Sequence, residues 1–496
     1  MTRTKKASKH LVMGRNGSDK NESNELLSQN VPSTVKVNIL KRCFYDPVHK
    51  RKVLHSVWIA VIFISLGMAF GQSGPTLLDL QIITKTDLEA SSFFLTATSV
   101  GYLAGSVLCG VIYDRVNKNL FLLSGVIGLG LFSIATPYCF NFIAMIFIRA
   151  IVGIFIGVVD AAGNAEQMRV WGNEGHELMQ MLHFCFAIGG VLSPLYSEPF
   201  LAHKEIRNTT LENVANLTDQ TTIPSELKPE TTDIQYAYII TGIFCIVSGI
   251  PWLIIYVQDK LGTSKIVIKA DGAVTQRNVP LPILLYMIFM LSVMYLLYCC
   301  AEVSFSSFLM TFLVEEFDES KSKGAHVTAV FWALFAASRF FMIFISQVLS
   351  AVQLLYISCI LMVITSVCFT ISAAFASIDA IVAFTALLGL SISAIFPAGF
   401  SWTESQLMRV TSRISACILV SSSIGGMISP LILSNMMERI DNMWFCYLMV
   451  IEIVLMCIVF IILFVSAKFF INKRYIFEND IVTNGDAKPS EGFAKV

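Results

Sequence analysis

From residue 53 onward the chain is a succession of apolar runs separated by short polar links. Twelve runs are centred near Ile64, Gly101, Gly130, Phe155, Gly189, Val247, Ser292, Ala336, Met362, Gly389, Ile424 and Val454. Each is long enough to cross a bilayer as a helix of roughly 20 residues. None shows the strict alternation of a membrane barrel, and an open strand would leave backbone amides unpaired in lipid. The pattern therefore predicts an all-α polytopic membrane protein with twelve transmembrane helices. Composition agrees: hydrophobic residues make up 55% of the 496 positions and charged residues only 14%, against about 25% charge in a soluble domain.

Charge and cysteine narrow the classes further. The formal net charge is zero, so nothing favours a nucleic-acid partner. The 12 cysteines lie mostly inside apolar runs without a CxxC pair, which supports neither a zinc site nor a disulfide framework. No catalytic triad, P-loop or metal motif is present, so neither an enzyme nor an ATP-driven pump is expected, and no bound cofactor.

Orientation follows from the links. Residues 1–52 carry twelve Lys or Arg against four acids. Basic links also follow span two (Arg115, Lys118) and span six (Lys260, Lys265, Lys269, Arg277). By the positive-inside rule these face the cytosol, as do both termini. The long link of residues 201–235, with six acids and three bases, then faces outside. It contains the sequons Asn208-Thr209-Thr210 and Asn216-Leu217-Thr218, so Asn208 and Asn216 are expected to be glycosylated. The expected location is the plasma membrane.

An internal repeat fixes the architecture. Ile188-Gly189-Gly190-Val191-Leu192-Ser193-Pro194-Leu195 in span five recurs as Ile424-Gly425-Gly426-Met427-Ile428-Ser429-Pro430-Leu431 in span eleven, with six of eight positions identical at an offset of 236. The same offset pairs Gly153 with Gly389 and Gly163 with Gly399 in spans four and ten. Because six spans separate equivalents, two six-helix halves must point the same way, as in transporters that rock about a midplane site. The expected divisions are a basic tail at 1–52, a first half at 53–257, a linker at 258–280, a second half at 281–466 and a tail at 467–496.

Several motifs give the repeat a family. Gly110-x-x-x-Asp114-Arg115-x-Asn117-Lys118 resembles the major facilitator signature between spans two and three, which implies that Asp114, Arg115 and Lys118 latch the halves on the cytosolic side. Asn117 stands where that family has Gly, and Asn119 replaces a second basic residue. Asp160-x-x-x-Asn164 and Phe396-Pro397 are similar to elements of the fucose:proton symporter branch. A closer resemblance is to the vertebrate sodium-dependent glucose transporters, through Gly74-Pro75-Thr76-Leu77-Leu78-Asp79-Leu80, Met179-Gln180-x-Leu182-His183-Phe184, Ala301-Glu302-Val303-Ser304-Phe305 and Phe396-Pro397-x-Gly399-Phe400-x-Trp402. It implies a hexose such as glucose as solute and sodium as co-ion. The symporter branch carries a proton on a span-one Asp, where Ala69-Phe70-Gly71-Gln72-Ser73 offers only Gln72 and Ser73. A proton nonetheless stays open as the coupled ion.

The polar residues inside spans are the candidate site. Arg149 and Asp160 lie about 20° apart on the helix wheel and Asn164 about 40° further. An ionised side chain in lipid costs at least a few kcal/mol, so this stripe faces the interior. Asp160 and Asn164 are candidates for the co-ion, with an internal latch as the alternative. Gln72, Asn164, Gln180, His183, Glu302 and Trp402 are candidates for the solute, since amides and imidazole match hydroxyls that both donate and accept. Packing is the alternative for His183, Trp332 and Trp402. Arg149 and Arg339 join the gating group, with Glu302 and Arg339 a possible pair, and Glu452 has no evident partner. The sequence thus predicts a monomeric secondary transporter in the bilayer. A passive facilitator and a transport-inactive sensor or scaffold are the alternatives.

Overall fold

The computed structural model describes residues 47–171, 175–202, 232–261, 280–408 and 412–471. The expected glycosylation sites Asn208 and Asn216, most of the 258–280 linker and nearly all of both tails lie outside them. By its contacts the chain divides into a segment ending at Val53 and a unit from Leu54 to Val496. Of the first, the described part is the opening of the first helix.

Among the described residues, twelve helices are long and apolar enough to span a membrane. They are α1 (Pro47–Gly71), α2 (Leu88–Ile112), α3 (Lys118–Ala135), α4 (Phe142–Trp171), α5 (Gly175–Ser197), α6 (Gln235–Lys260), α7 (Leu281–Phe317), α8 (Lys321–Ile345), α9 (Ala351–Ala374), α10 (Ile378–Trp402), α11 (Ser412–Arg439) and α12 (Trp444–Ser466). Among the described residues there is no strand. The bundle has two ends, called here the sequon face, where α5 ends and α6 begins, and the terminal face, where α1 begins and α12 ends.

Local chemistry sets the breaks. Pro75, between two short turns, lacks an amide proton, and the chain leaves α1 at Gly71 to restart as a short helix at Leu77–Thr84. Asp87 caps α2 by accepting from the Ala90 amide at 2.7 Å. Asn117, the departure from the signature, caps α3 by accepting from the Leu120 amide at 3.1 Å. The second departure also has a use, because Asn119 donates to Asp259 at 2.8 Å and joins α3 to α6.

In lipid, helices gain little from apolar contact alone, so close backbone approach at small residues organises the bundle. Between α2 and α4 the glycines interlock. A Cβ on Gly101 would lie 2.0 Å from the Ala150 carbonyl oxygen, and one on Gly105 2.0 Å from that of Ile154. From the other side, Gly153 meets Thr98 and Gly157 meets the Tyr102 carbonyl oxygen, each at 2.1 Å. The repeated pair performs the same task twice: Gly189 of α5 abuts Ile64 of α1, and Gly425 of α11 abuts Leu296 of α7. The next glycine faces the other half each time, Gly190 against Trp332 of α8 and Gly426 against Ser99 of α2.

Gly157→Val should therefore abolish the folded protein, because overpacking alone costs about 1–3 kcal/mol and here the obstacle is backbone. Gly110→Val, with nothing within 4 Å of its Cβ position, should fold normally. Size-exclusion profiles of the two variants in detergent check this, and equal recovery would refute the packing account.

Candidate functional site

The α2–α4 seam delivers Tyr102 to Asp160. The phenol donates to Asp160 Oδ2 at 2.6 Å, and the Asn164 amide, one turn along α4, donates to Oδ1 at 3.0 Å. Among the described residues no Lys, Arg or His forms an ion pair with this carboxylate. Asp160 and Asn164 are both half-buried. The Asn164 Oδ1 atom is buried without a hydrogen-bond partner, as is Gln180 Oε1 on α5. The Asp160 carboxylate and the unpartnered Asn164 Oδ1, one turn apart on α4, are oxygens of the kind a hard cation takes.

A second group lies in the middle of the bundle. Glu302 of α7 has Arg339 of α8 and Tyr298 as electrostatic neighbours, and Arg339 also acts on His183 of α5. Glu302 and His183 are half-buried. The expected direct pair does not form: Arg339 donates to Ser393 at 3.2 Å and lies 4.9 Å above the Phe335 ring. Phe184 and Phe340 meet beside this group with ring centres 5.5 Å apart, joining α5 to α8.

Other expectations need correction. Gln72, expected to line the solute path, is buried inside the first half and accepts from Thr241 of α6 at 2.9 Å. Trp402 is fully buried against Phe460 of α12 and donates to Gln406 at 3.2 Å, so it supports the second half rather than a cavity. Arg149 shares a helix face with Asp160 but turns to the link after α1, donating to Ser73 at 2.6 Å. Glu452 does have a partner, the Ser429 hydroxyl at 2.6 Å.

Hydrogen bonds and ion pairs between described residues join the halves in one region. Toward the sequon face, Lys321 reaches Asp79 at 3.4 Å, Arg439 holds Glu89 with two bonds of 2.9 and 3.0 Å, and Ser322 donates to Glu198 at 2.5 Å. Deeper in, Thr96 donates to the Met427 carbonyl and Ser99 to that of Gly426, both at 3.0 Å. Asp79 is fully buried and also accepts from the Ala202 amide and the Thr232 hydroxyl. The signature residues lie at the terminal face. Asp114 and Arg115 are exposed there, and Lys118 lies 5.1 Å above the Tyr113 ring. The closure is therefore at the sequon face.

Sequence reasoning missed Tyr102, the cross-half ion pairs and a cluster near the terminal face. In that cluster, fully buried Glu166 accepts from Tyr113 at 2.6 Å, meets His55 at 2.8 Å and is gripped by Arg169. Tyrosine in an apolar run carries no signal of its partner, and the pairs bring together residues 242 and 350 positions apart.

Twelve spans in two like-oriented halves, a polar centre and closure at one face define a multi-pass membrane transporter. The model of the Major Facilitator Superfamily matches residues 57–430, and the chain belongs to that family. It is 27% identical to sodium-dependent glucose transporter 1 of Danio rerio over 395 residues, covering 78% of this chain and 65% of that protein. With sodium-dependent glucose transporter 1A of Mus musculus it shares 27% over 378 residues, covering 75% and 87%. The fold is also that of a bacterial homologue of the human lysosomal transporter Spinster, with a TM-score of 0.61 at 12% identity over 87% of this chain and 99% of that one.

Lys321→Met should open the sequon face. It leaves Asp79 buried without its cation, at a cost of roughly 3–5 kcal/mol, so the closed population should fall more than tenfold, while Lys321→Arg should preserve it. Reaction of an introduced cysteine beneath the closure with a water-soluble maleimide reports the change, and equal reactivity in both variants would contradict it.

Proposed function

We propose that the chain is a secondary active transporter that moves a hexose such as glucose by alternating access, coupled to sodium entry at Asp160. The observation that carries this reading is the Asp160 carboxylate, held by two neutral donors and no cation among the described residues. Such a charge inside a membrane bundle costs at least roughly 2.5 kcal/mol, and a visiting cation offsets that cost. Asn164 Oδ1 would add an oxygen to the ion, and the relatives named above give sodium and glucose as the pair to test.

In this reading Gln180, His183 and Glu302 line the solute path, with amide, imidazole and carboxylate groups matched to sugar hydroxyls. Tyr102 positions Asp160. On the same helix, Thr96 and Ser99 bind α11, so α2 links the ion site to the opposite half. Occupancy could then bias closure, since only an ion that binds the two conformers differently shifts their balance. The sequon face is the outer one, as its acidic, sequon-bearing link implies, and Asp114, Arg115 and Lys118 form the latch of the alternate state.

The test is uptake of labelled glucose by purified protein in liposomes, with and without an inward sodium gradient. Accumulation only with sodium is the expected result. Uptake to equilibrium that ignores sodium would replace the reading with passive facilitation. Asp160→Asn should abolish accumulation above equilibrium while keeping glucose counterflow, because the amide mimics the ion-occupied form in charge. Loss of counterflow together with accumulation, in protein that elutes poorly on size exclusion, would make Asp160 a packing residue.

A further inference from the structure

Glu452 lies outside the site described above. It belongs to α12, is 7% exposed, and sits at a seam with α7 and α11. Its Oε1 atom accepts from Ser429 of α11 at 2.6 Å, and the Ser429 hydroxyl is 2.7 Å from that of Ser304 on α7. The Oε2 atom is buried with no hydrogen-bond partner. On α7, Cys300 is the electrostatic neighbour of Glu452, while Glu316 acts on Cys446; on α9, Cys359 meets Cys457 and Tyr356 meets Phe460; α11 presents the Ser429 hydroxyl, and its Arg439 is engaged with Glu89 of the first half. Among the described residues no ion pair involves Glu452.

A carboxylate left like this would be an uncompensated charge in a dry seam, and a carboxyl group escapes that cost by taking a proton. An oxygen without a donor suits the neutral acid better than the anion, whose lone pairs call for several donors. The four oxygens named here, two of Glu452 and the hydroxyls of Ser429 and Ser304, are too few for the six or more that a hard metal ion takes.

The seam is also tied to the closure. Ser429 follows by two and three residues the Met427 and Gly426 carbonyls that bind α2 across the halves. Ser304 precedes by two and three residues Ser306 and Ser307, which the Gly74 turn of the first half touches: a Cβ on Gly74 would lie 2.5 Å from the Ser306 carbonyl oxygen. Opening the sequon face removes support from both strips that flank Glu452.

We propose that Glu452 is a proton-binding site whose occupancy is linked to opening of the sequon face, protonated when that face is closed and releasing its proton when the α7–α11 seam hydrates. The site rests on the alternating-access reading and not on the identity of the solute or of the ion at Asp160. Linkage gives the sign: the closed state binds the extra proton, so acid favours closure and alkali favours opening.

The experiment places Ser307→Cys, buried under the Gly74 turn, in the full chain and follows its reaction with a water-soluble maleimide in detergent, against the same chain with Ser307 retained. Maleimide reacts with the thiolate, so labelling is read relative to a free thiol at the same pH, and this ratio should rise severalfold from mildly acidic to mildly alkaline buffer. Added Glu452→Gln, which stays neutral and keeps the Ser429 bond, should hold labelling low at every pH. Added Ser429→Ala removes a donor to the anion and should move the midpoint up by about one unit. Labelling that ignores pH, or the same pH profile in Glu452→Gln, would overturn the proposal. If the transport reading alone were wrong, solute counterflow would be absent while the pH-dependent labelling persisted. If Glu452 alone were wrong, counterflow would remain and labelling would stay flat.

Discussion

The hydrogen bond from Tyr102 to Asp160 depends on four glycines. Gly101, Gly105, Gly153 and Gly157 let α2 and α4 meet backbone to backbone, and Gly157 lies against the carbonyl of Tyr102 itself. At ordinary interhelical spacing of about 8–10 Å the phenol would not be held at a carboxylate one turn further on. The same seam carries α2 to α11 through Ser99 and Thr96, so the proposed ion site and the contact between the halves share one rigid pair of helices.

The duplication explains why the centre is built from both halves. Each copy uses the first glycine of its Ile-Gly-Gly element to seat its own first helix and the second to touch the other half. Chemistry then diverges on this common frame. The first half holds Asp160 among neutral donors, whereas the second holds Glu302 beside Arg339 and, further out, Glu452 on two serines. Closure at the sequon face rests on the pair of buried Asp79 with half-buried Lys321 and on an exposed arginine–glutamate pair, Arg439 being 65% exposed. Exposed pairs contribute about 0–1 kcal/mol, so Asp79 and Lys321 are the stronger element.

How much was legible in the sequence follows from the range of each signal. Hydrophobic runs and the fixed-offset repeat are local or periodic, and they gave the twelve spans and the two halves, while the family came from the resemblance of short motifs. Asp160 and Asn164 sit one turn apart, so their bond could be read from spacing alone. Trp402 could not be placed, because a tryptophan near a helix end reads alike whether it faces a cavity or Phe460. Gln72 was likewise ambiguous, since its partner Thr241 lies 169 positions away. Arg149 and Asp160 share a wheel angle yet serve different neighbours, because a wheel ignores which helix stands opposite at each level. Glu452 looked unpartnered since serine is too common to mark its bond.

The central claim is that Asp160 receives a sodium ion. Equilibrium binding of radiolabelled sodium to the purified protein, compared with Asp160→Asn, tests it most directly. The account predicts saturable binding in the natural chain, unaffected by excess potassium and absent from the variant. Saturable binding that survives the substitution, or none in the natural chain, would contradict it.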